Sequence, residues 1–136
     1  WDNDTSCVGG VARTVAKVKE IRQQFENNDD GNVLFLNAGD HFQGTSWYTL
    51  LKSKVVADFV KLMKHDVMTL GNHEFDDGPE ELKKFLNLMN GTLPIVCCNV
   101  DFDQSLGIHS MVEKSIVINI KNTKVAIIGK CDTFDI

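Results

Sequence analysis

The sequence predicts an α/β fold, a parallel βαβαβ unit followed by a β-hairpin. Three observations lead there. Short continuous apolar runs alternate with stretches of helical periodicity. Glycine-bearing polar loops follow the first two runs. Two apolar stretches between residues 116 and 128 flank one polar turn. With 136 residues, 43% of them hydrophobic and 24% charged, the chain suits one folded domain and excludes disorder.

The elements follow in order. Val11, Val15, Val18, Ile21 and Phe25 recur at helical spacing with Lys17, Lys19 and Glu20 between them, predicting an amphipathic helix over residues 11–26. Gly9-Gly10 lead into it, and Asn27-Asn28-Asp29-Asp30-Gly31 end it with turn formers. Val33–Leu36 is a continuous apolar run, expected to be a strand buried on both faces. After the loop Asn37–Gly44, a second helix is expected within residues 45–63, with Val55, Val56, Phe59, Val60 and Met63 facing the core. Val67–Leu70 is the second strand, followed by the loop Gly71–Gly78. Pro79 suits the first position of a third helix running to about Met89, with Leu82, Phe85, Leu86 and Met89 inward and Asn90-Gly91 closing it. Ile95–Val100 is the third strand, and Ile116–Ile120 and Lys124–Ile128 flank Lys121-Asn122-Thr123 as a hairpin.

Charge and composition remove several functions. Nineteen acidic against 14 basic residues give a net charge of −5 with no basic run, so duplex nucleic acid is not an expected partner. No apolar run approaches the ~20 residues of a membrane-spanning helix. The chain opens on Trp1 with no basic leader, which suggests a processed chain or an internal piece. Cys7, Cys97, Cys98 and Cys131 lack zinc-site spacing; Cys97 and Cys98 should face opposite sides of a strand, and pairing of either with Cys131 stays open. Asn3-Asp4-Thr5 and Asn90-Gly91-Thr92 match the N-glycosylation pattern of secreted proteins and fall in expected loops.

The chemistry concentrates in the two loops that begin where apolar strands end. These are Asn37-Ala38-Gly39-Asp40-His41-Phe42-Gln43-Gly44 and Leu70-Gly71-Asn72-His73-Glu74-Phe75-Asp76-Asp77-Gly78. They lie about 30 residues apart, the length of one βαβ unit. On parallel neighbouring strands both would open at the same edge of the sheet, where such folds place ligands. The Asp40 carboxylate and the Asn72 amide oxygen would then converge as donors for hard divalent cations. Gly39 and Gly71 stand immediately before them and permit a sharp backbone turn. His73 would lean over a bound substrate, and Asp76 three residues on would fix its tautomer and raise its pKa. No GxGxxG or GxSxG motif is present, which argues against a dinucleotide binder and a serine hydrolase.

Gly39-Asp40-His41-Phe42-Gln43-Gly44 and Gly71-Asn72-His73-Glu74-Phe75-Asp76 resemble the second and third signature motifs of the calcineurin-like metallophosphoesterases. The flanks Gly9-Gly10-Val11-Ala12-Arg13, Leu36-Asn37-Ala38 and Thr45-Ser46-Trp47-Tyr48 resemble the 5′-nucleotidase/apyrase branch, including secreted arthropod members. The resemblance implies part of a metallophosphoesterase sandwich. It implies two divalent ions, zinc first among them, with Asp40 bridging and Asn72 ligating one. His73 would be the catalytic group over the phosphoryl oxygens and Asp76 its orienting partner. The implied reaction is removal of phosphate from an extracellular nucleotide, by a protein secreted or held at the outer face of the plasma membrane.

The departures from that pattern carry expectations too. The family's first motif, Asp-x-His on an N-terminal strand, its later histidine motifs and its C-terminal nucleotide-binding domain have no counterpart in residues 1–136. Those residues are therefore expected to be an internal part of the catalytic domain, inactive alone. The alternative is a non-catalytic secreted binding protein or antigen of the same fold. His41 stands where relatives often carry Gln or Asn and would face either the site or solvent. Cys7 lies in a loop that relatives tie with a local disulfide. Glu74 is expected to be solvated or bonded to backbone, not an acid catalyst. His65 is expected to favour a helix C-terminus as a cation, and His109 the surface. Trp47 and Tyr48 are expected to pack rather than to form a base-stacking platform.

Overall fold

A computed structural model of the chain describes residues 8–26 and 33–132. The sequon Asn3-Asp4-Thr5, Cys7 and the turn at 27–31 lie outside the described residues. Helices α1 (Val11–Glu26), α2 (Ser46–Met63) and α3 (Pro79–Met89) alternate with strands β1 (Leu36–Asn37), β2 (Val67–Thr69) and β3 (Ile95–Val96), and the hairpin β4 (Ser115–Ile120) and β5 (Thr123–Ile128) follows. The three short strands form a parallel sheet in the order β1-β2-β3, with Leu36 opposite Val67 and Met68 opposite Ile95. The α/β pattern with a parallel βαβαβ unit and a terminal hairpin is therefore the one the sequence predicts.

Helix limits match the sequence at α1 and α3. In α3, Gly78 turns with φ 80, Pro79 starts the helix, Glu80 and Glu81 occupy its first turn, and Leu82, Phe85, Leu86 and Met89 are all buried. They pack with Phe42, Tyr48, Val55, Val56 and Val60 over Met68, Leu70 and Ile95. Of the expected α2 core face, Phe59 is only partly buried against this cluster and Met63, also partly buried, is not part of it. The apolar stripe of α1 is half-buried and Phe25 is exposed, so this helix lies against α2 without entering the core. Arg22 anchors it, donating to the Lys64 carbonyl at 2.9 Å and to Asp66 at 2.7 Å.

Four expectations are corrected. The first strand spans only Leu36–Asn37, because the amide of Phe35 is taken by the Asp66 carboxylate at 2.8 Å. It is not buried on both faces: Asn37 is buried but Leu36 is 51% exposed, and among the described residues β1 lies at the edge of the sheet. The third strand stops at Val96, since the Cys97 and Cys98 amides turn to the carbonyls of Glu113 and Gly129, each at 2.8 Å. Helix α2 is broken at Lys52 (φ 53, ψ −147). There Glu81 of α3 accepts from the Ser53 amide at 3.0 Å and its hydroxyl at 2.5 Å, capping the second half of the helix from outside.

The hairpin pairs all six residues of each strand, from Ser115–Ile128 to Ile120–Thr123, across a two-residue turn. Cys97, Cys98 and Cys131 are free thiols; Cys97 is buried and Cys98 partly exposed, although both lie beyond the end of β3 and not on the strand expected to carry them. Burial pushes the Cys131 thiol up to about 11. Asn99 holds Cys131 by its backbone, donating to the carbonyl at 2.6 Å and accepting the amide at 2.9 Å. None of the described helices is long and apolar enough to cross a membrane.

Candidate active site

The parallel register of β1 and β2 sends both motif loops out at the same end of the sheet. Asp40 adopts a left-handed backbone with φ 66, a conformation costly for a residue with a Cβ. Gly39 beside it has φ 83, and a Cβ there would stand 2.2 Å from the Gly71 nitrogen. A Cβ on Gly71 would stand 2.1 Å from Oδ1 of Asp40. Both glycines are thus required by close approach of the two loops, beyond the local turn that the sequence suggested.

Phe42 fixes the first loop from below. It is fully buried, with its ring 5.2 Å from Tyr48 and edge-on to Phe85 at 5.4 Å. The second loop coils into a single turn of 3-10 helix, Asn72–Phe75. Its His73 amide donates to Oδ1 of Asp40 at 3.2 Å, which places the two loops in contact at two of the expected site residues. The other Asp40 oxygen and the Asn72 side chain bond to no described residue.

His73 and Asp76 form the expected pair, with Nδ1 to Oδ2 at 2.7 Å. The bond to Asp76 holds the His73 pKa above its ordinary value, and the same bond holds the Asp76 carboxyl below its own. Gln43 of the first loop donates to the same Asp76 oxygen at 3.0 Å and further fixes it. His73 remains 44% exposed, open to a ligand. A groove of about 470 Å³ opens beside Asp40, lined among others by His41, Gln43, Thr45, Trp47 and Tyr48.

Other side chains resolve open expectations. His41 faces inward, its Nε2 2.8 Å from Oδ1 of buried Asn37, and burial lowers its pKa. His65 does not behave as a helix-end cation: it stacks on Phe35 at 4.2 Å, and burial lowers its pKa too. His109 is exposed, as expected. Tyr48 packs as expected and bonds to Asp77, which also holds Lys52 at 3.1 Å. Trp47 does not pack; it is 59% exposed on the rim of the groove.

Glu74 is the residue whose importance the sequence understated. It is fully buried and bonded to backbone, not solvated. Its spacing from Gly71 held a signal: a glutamate three residues after a helix N-cap often reaches back to the cap amide, and Glu74 does so at 2.6 Å.

The oxygen donors of Asp40 and Asn72 fit a hard or borderline divalent cation. Among the described residues no cluster of three His, Cys, Asp or Glu able to hold a metal stands beside them.

Comparison with known proteins identifies the family and the fold. Residues 3–126 match the calcineurin-like phosphoesterase family. The chain is 40% identical to an apyrase of Anopheles gambiae over 129 residues, covering 93% of this chain and 22% of that protein. It is 42% identical to a 5′-nucleotidase of Mus musculus over 129 residues, covering 93% and 21%. Among solved structures, the 5′-nucleotidase precursor from Thermus thermophilus superposes with a TM-score of 0.78 at 33% identity, over 90% of this chain and 23% of that one. The chain thus spans about a fifth of the length of the curated relatives it matches.

Proposed function

The chain belongs to the calcineurin-like phosphoesterases, and from that premise we propose that it serves a nucleotide phosphohydrolase of the 5′-nucleotidase or apyrase type. The observation that supports this is that the loops after two adjacent parallel strands touch, the His73 amide donating to Asp40 and His73 pairing with Asp76, with Asn72 next to His73 in the second loop. Asp40 would offer its carboxylate to divalent ions and Asn72 its amide oxygen to one of them. When bound, a pair of such ions, zinc being the expected one, supplies Lewis acidity toward phosphoryl oxygens and lowers the pKa of water. His73, whose pKa is raised by its hydrogen bond to Asp76, would in its protonated form donate to a phosphoryl oxygen as negative charge builds on it. Gln43 would hold Asp76 in place while it does so.

The test is phosphate release from a nucleoside monophosphate and a triphosphate by the intact protein, with zinc and after chelation. Zinc-dependent release is expected, and Asp40→Ala should abolish both release and metal content by elemental analysis. Unchanged metal content in Asp40→Ala would refute the bridging role. Nucleotide binding without release would favour the non-catalytic alternative. We further propose a secreted or cell-surface location. In its support, Asn90-Gly91-Thr92 lies in the turn after α3, with Asn90 and Gly91 exposed. A mass loss on N-glycosidase treatment, absent in Asn90→Gln, is the expected result.

A further inference from the structure

We infer that Glu74 is a positioning residue that holds Asp40 in its left-handed backbone by accepting three amides, one from the second motif loop and two from the first. Its Oε2 accepts the Asp40 amide at 2.8 Å and the Gly71 amide at 2.6 Å, and its Oε1 accepts the His41 amide at 2.6 Å. The side chain is fully buried. Among the described residues no Lys, Arg or His forms an ion pair with it. A buried carboxylate without a cation is costly unless hydrogen bonds replace its water. Here the three amide dipoles do so, and they include those of the strained residue and of its neighbour. The carboxylate therefore works in two directions. It fixes the backbone of Asp40, and it ties the loop after β1 to the loop after β2 across 33 and 34 residues of sequence.

No other side chain does the same. Gln would turn an NH₂ donor toward an amide that needs an acceptor. Asp is one methylene shorter and would lose reach to one loop. An apolar residue would leave three buried donors unpaired.

The inference rests on the metal-binding role proposed above for Asp40, so its test has an arm that needs no metal. In the metal-free intact protein, amide hydrogen exchange should show Gly71, Asp40 and His41 strongly protected. Exchange at the rate of exposed loop amides would overturn the clamp without any variant being made. Glu74→Gln should then lose protection at those three amides while β4–β5 amides keep theirs. Zinc affinity should fall about 10–100-fold, the usual effect of removing a group that orients a ligand. The Michaelis constant for nucleotide, measured at saturating zinc, should not change. Loss of protection throughout the chain in equal proportion would mean a merely structural role and overturn the inference. If wild-type protein shows the protected amides but binds no zinc, the metal reading fails and the clamp stands.

Discussion

The motif corner and the β4–β5 hairpin are both built from two segments lying side by side, and they are held by opposite kinds of contact. In the hairpin every pairing joins close neighbours in sequence across a two-residue turn, and none of its side chains is buried. In the corner the bonds run between residues 33 or 34 positions apart: Asp40 and His41 to Glu74, His73 to Asp40, Gln43 to Asp76. Glycine backbones there approach too closely for a Cβ. Order that comes from local ladder bonds absorbs a changed side chain at the surface. Order that comes from distant groups meeting in a closed space passes the change on to Asp40.

The largest effect that would sharpen this contrast is expected at Gly71. In Gly71→Ala the new methyl would stand 2.1 Å from Oδ1 and 2.7 Å from the nitrogen of Asp40. Asp40 must move, so bound zinc and turnover should be lost, with about 1–3 kcal/mol of stability by thermal unfolding. Retention of full zinc content by elemental analysis would break the comparison.

His73→Asn should come next. The charge-stabilising group goes while the Asp40 and Asn72 oxygens stay, so turnover should drop by ~10²–10³ with metal content intact. Near-normal turnover would dismiss the role of the imidazole.

A smaller effect is expected for Asp76→Asn. Asp76 raises the pKa of His73 through its hydrogen bond, and the imidazolium is present below that pKa and lost above it. Removing the carboxylate lowers the pKa, so the alkaline fall of the rate should move to lower pH. The imidazole titration followed by NMR should shift the same way. An unchanged profile would uncouple the two residues.

The smallest effect belongs to the hairpin. Val117 is 62% exposed, and Val117→Thr keeps the β-branch that suits a strand. Unfolding free energy should change by less than about 0.5 kcal/mol, with turnover unaffected. A larger loss would show that this face is covered in the intact protein, and the contrast would narrow.

How much of this was legible in the sequence follows the same division. The limits of α1 and α3, Pro79 as a helix start and the hairpin turn depend on bonds within a few residues, and local pattern specifies them. The two loops that bear Asp40, Asn72, His73 and Asp76 were also legible, because strand ends and glycines marked both. Strand lengths were not, since a strand ends where its partner ends: the Asp66 carboxylate shortens β1, and Glu113 with Gly129 diverts the backbone after β3. The break at Lys52 was equally hidden, because the cap that permits it is Glu81 of another helix.

By itself, then, the sequence determined the order of elements, the two glycine-bearing loops at the strand ends and the His73–Asp76 spacing. Tertiary structure alone decided that Glu74 is buried under Asp40, that Gln43 reaches Asp76, and that Trp47 stands exposed beside the groove. The physical reason is range. Periodicity and turn chemistry act over a few residues and leave a trace in composition, whereas a buried carboxylate meeting amides from a strand away depends on where the whole chain has already gone.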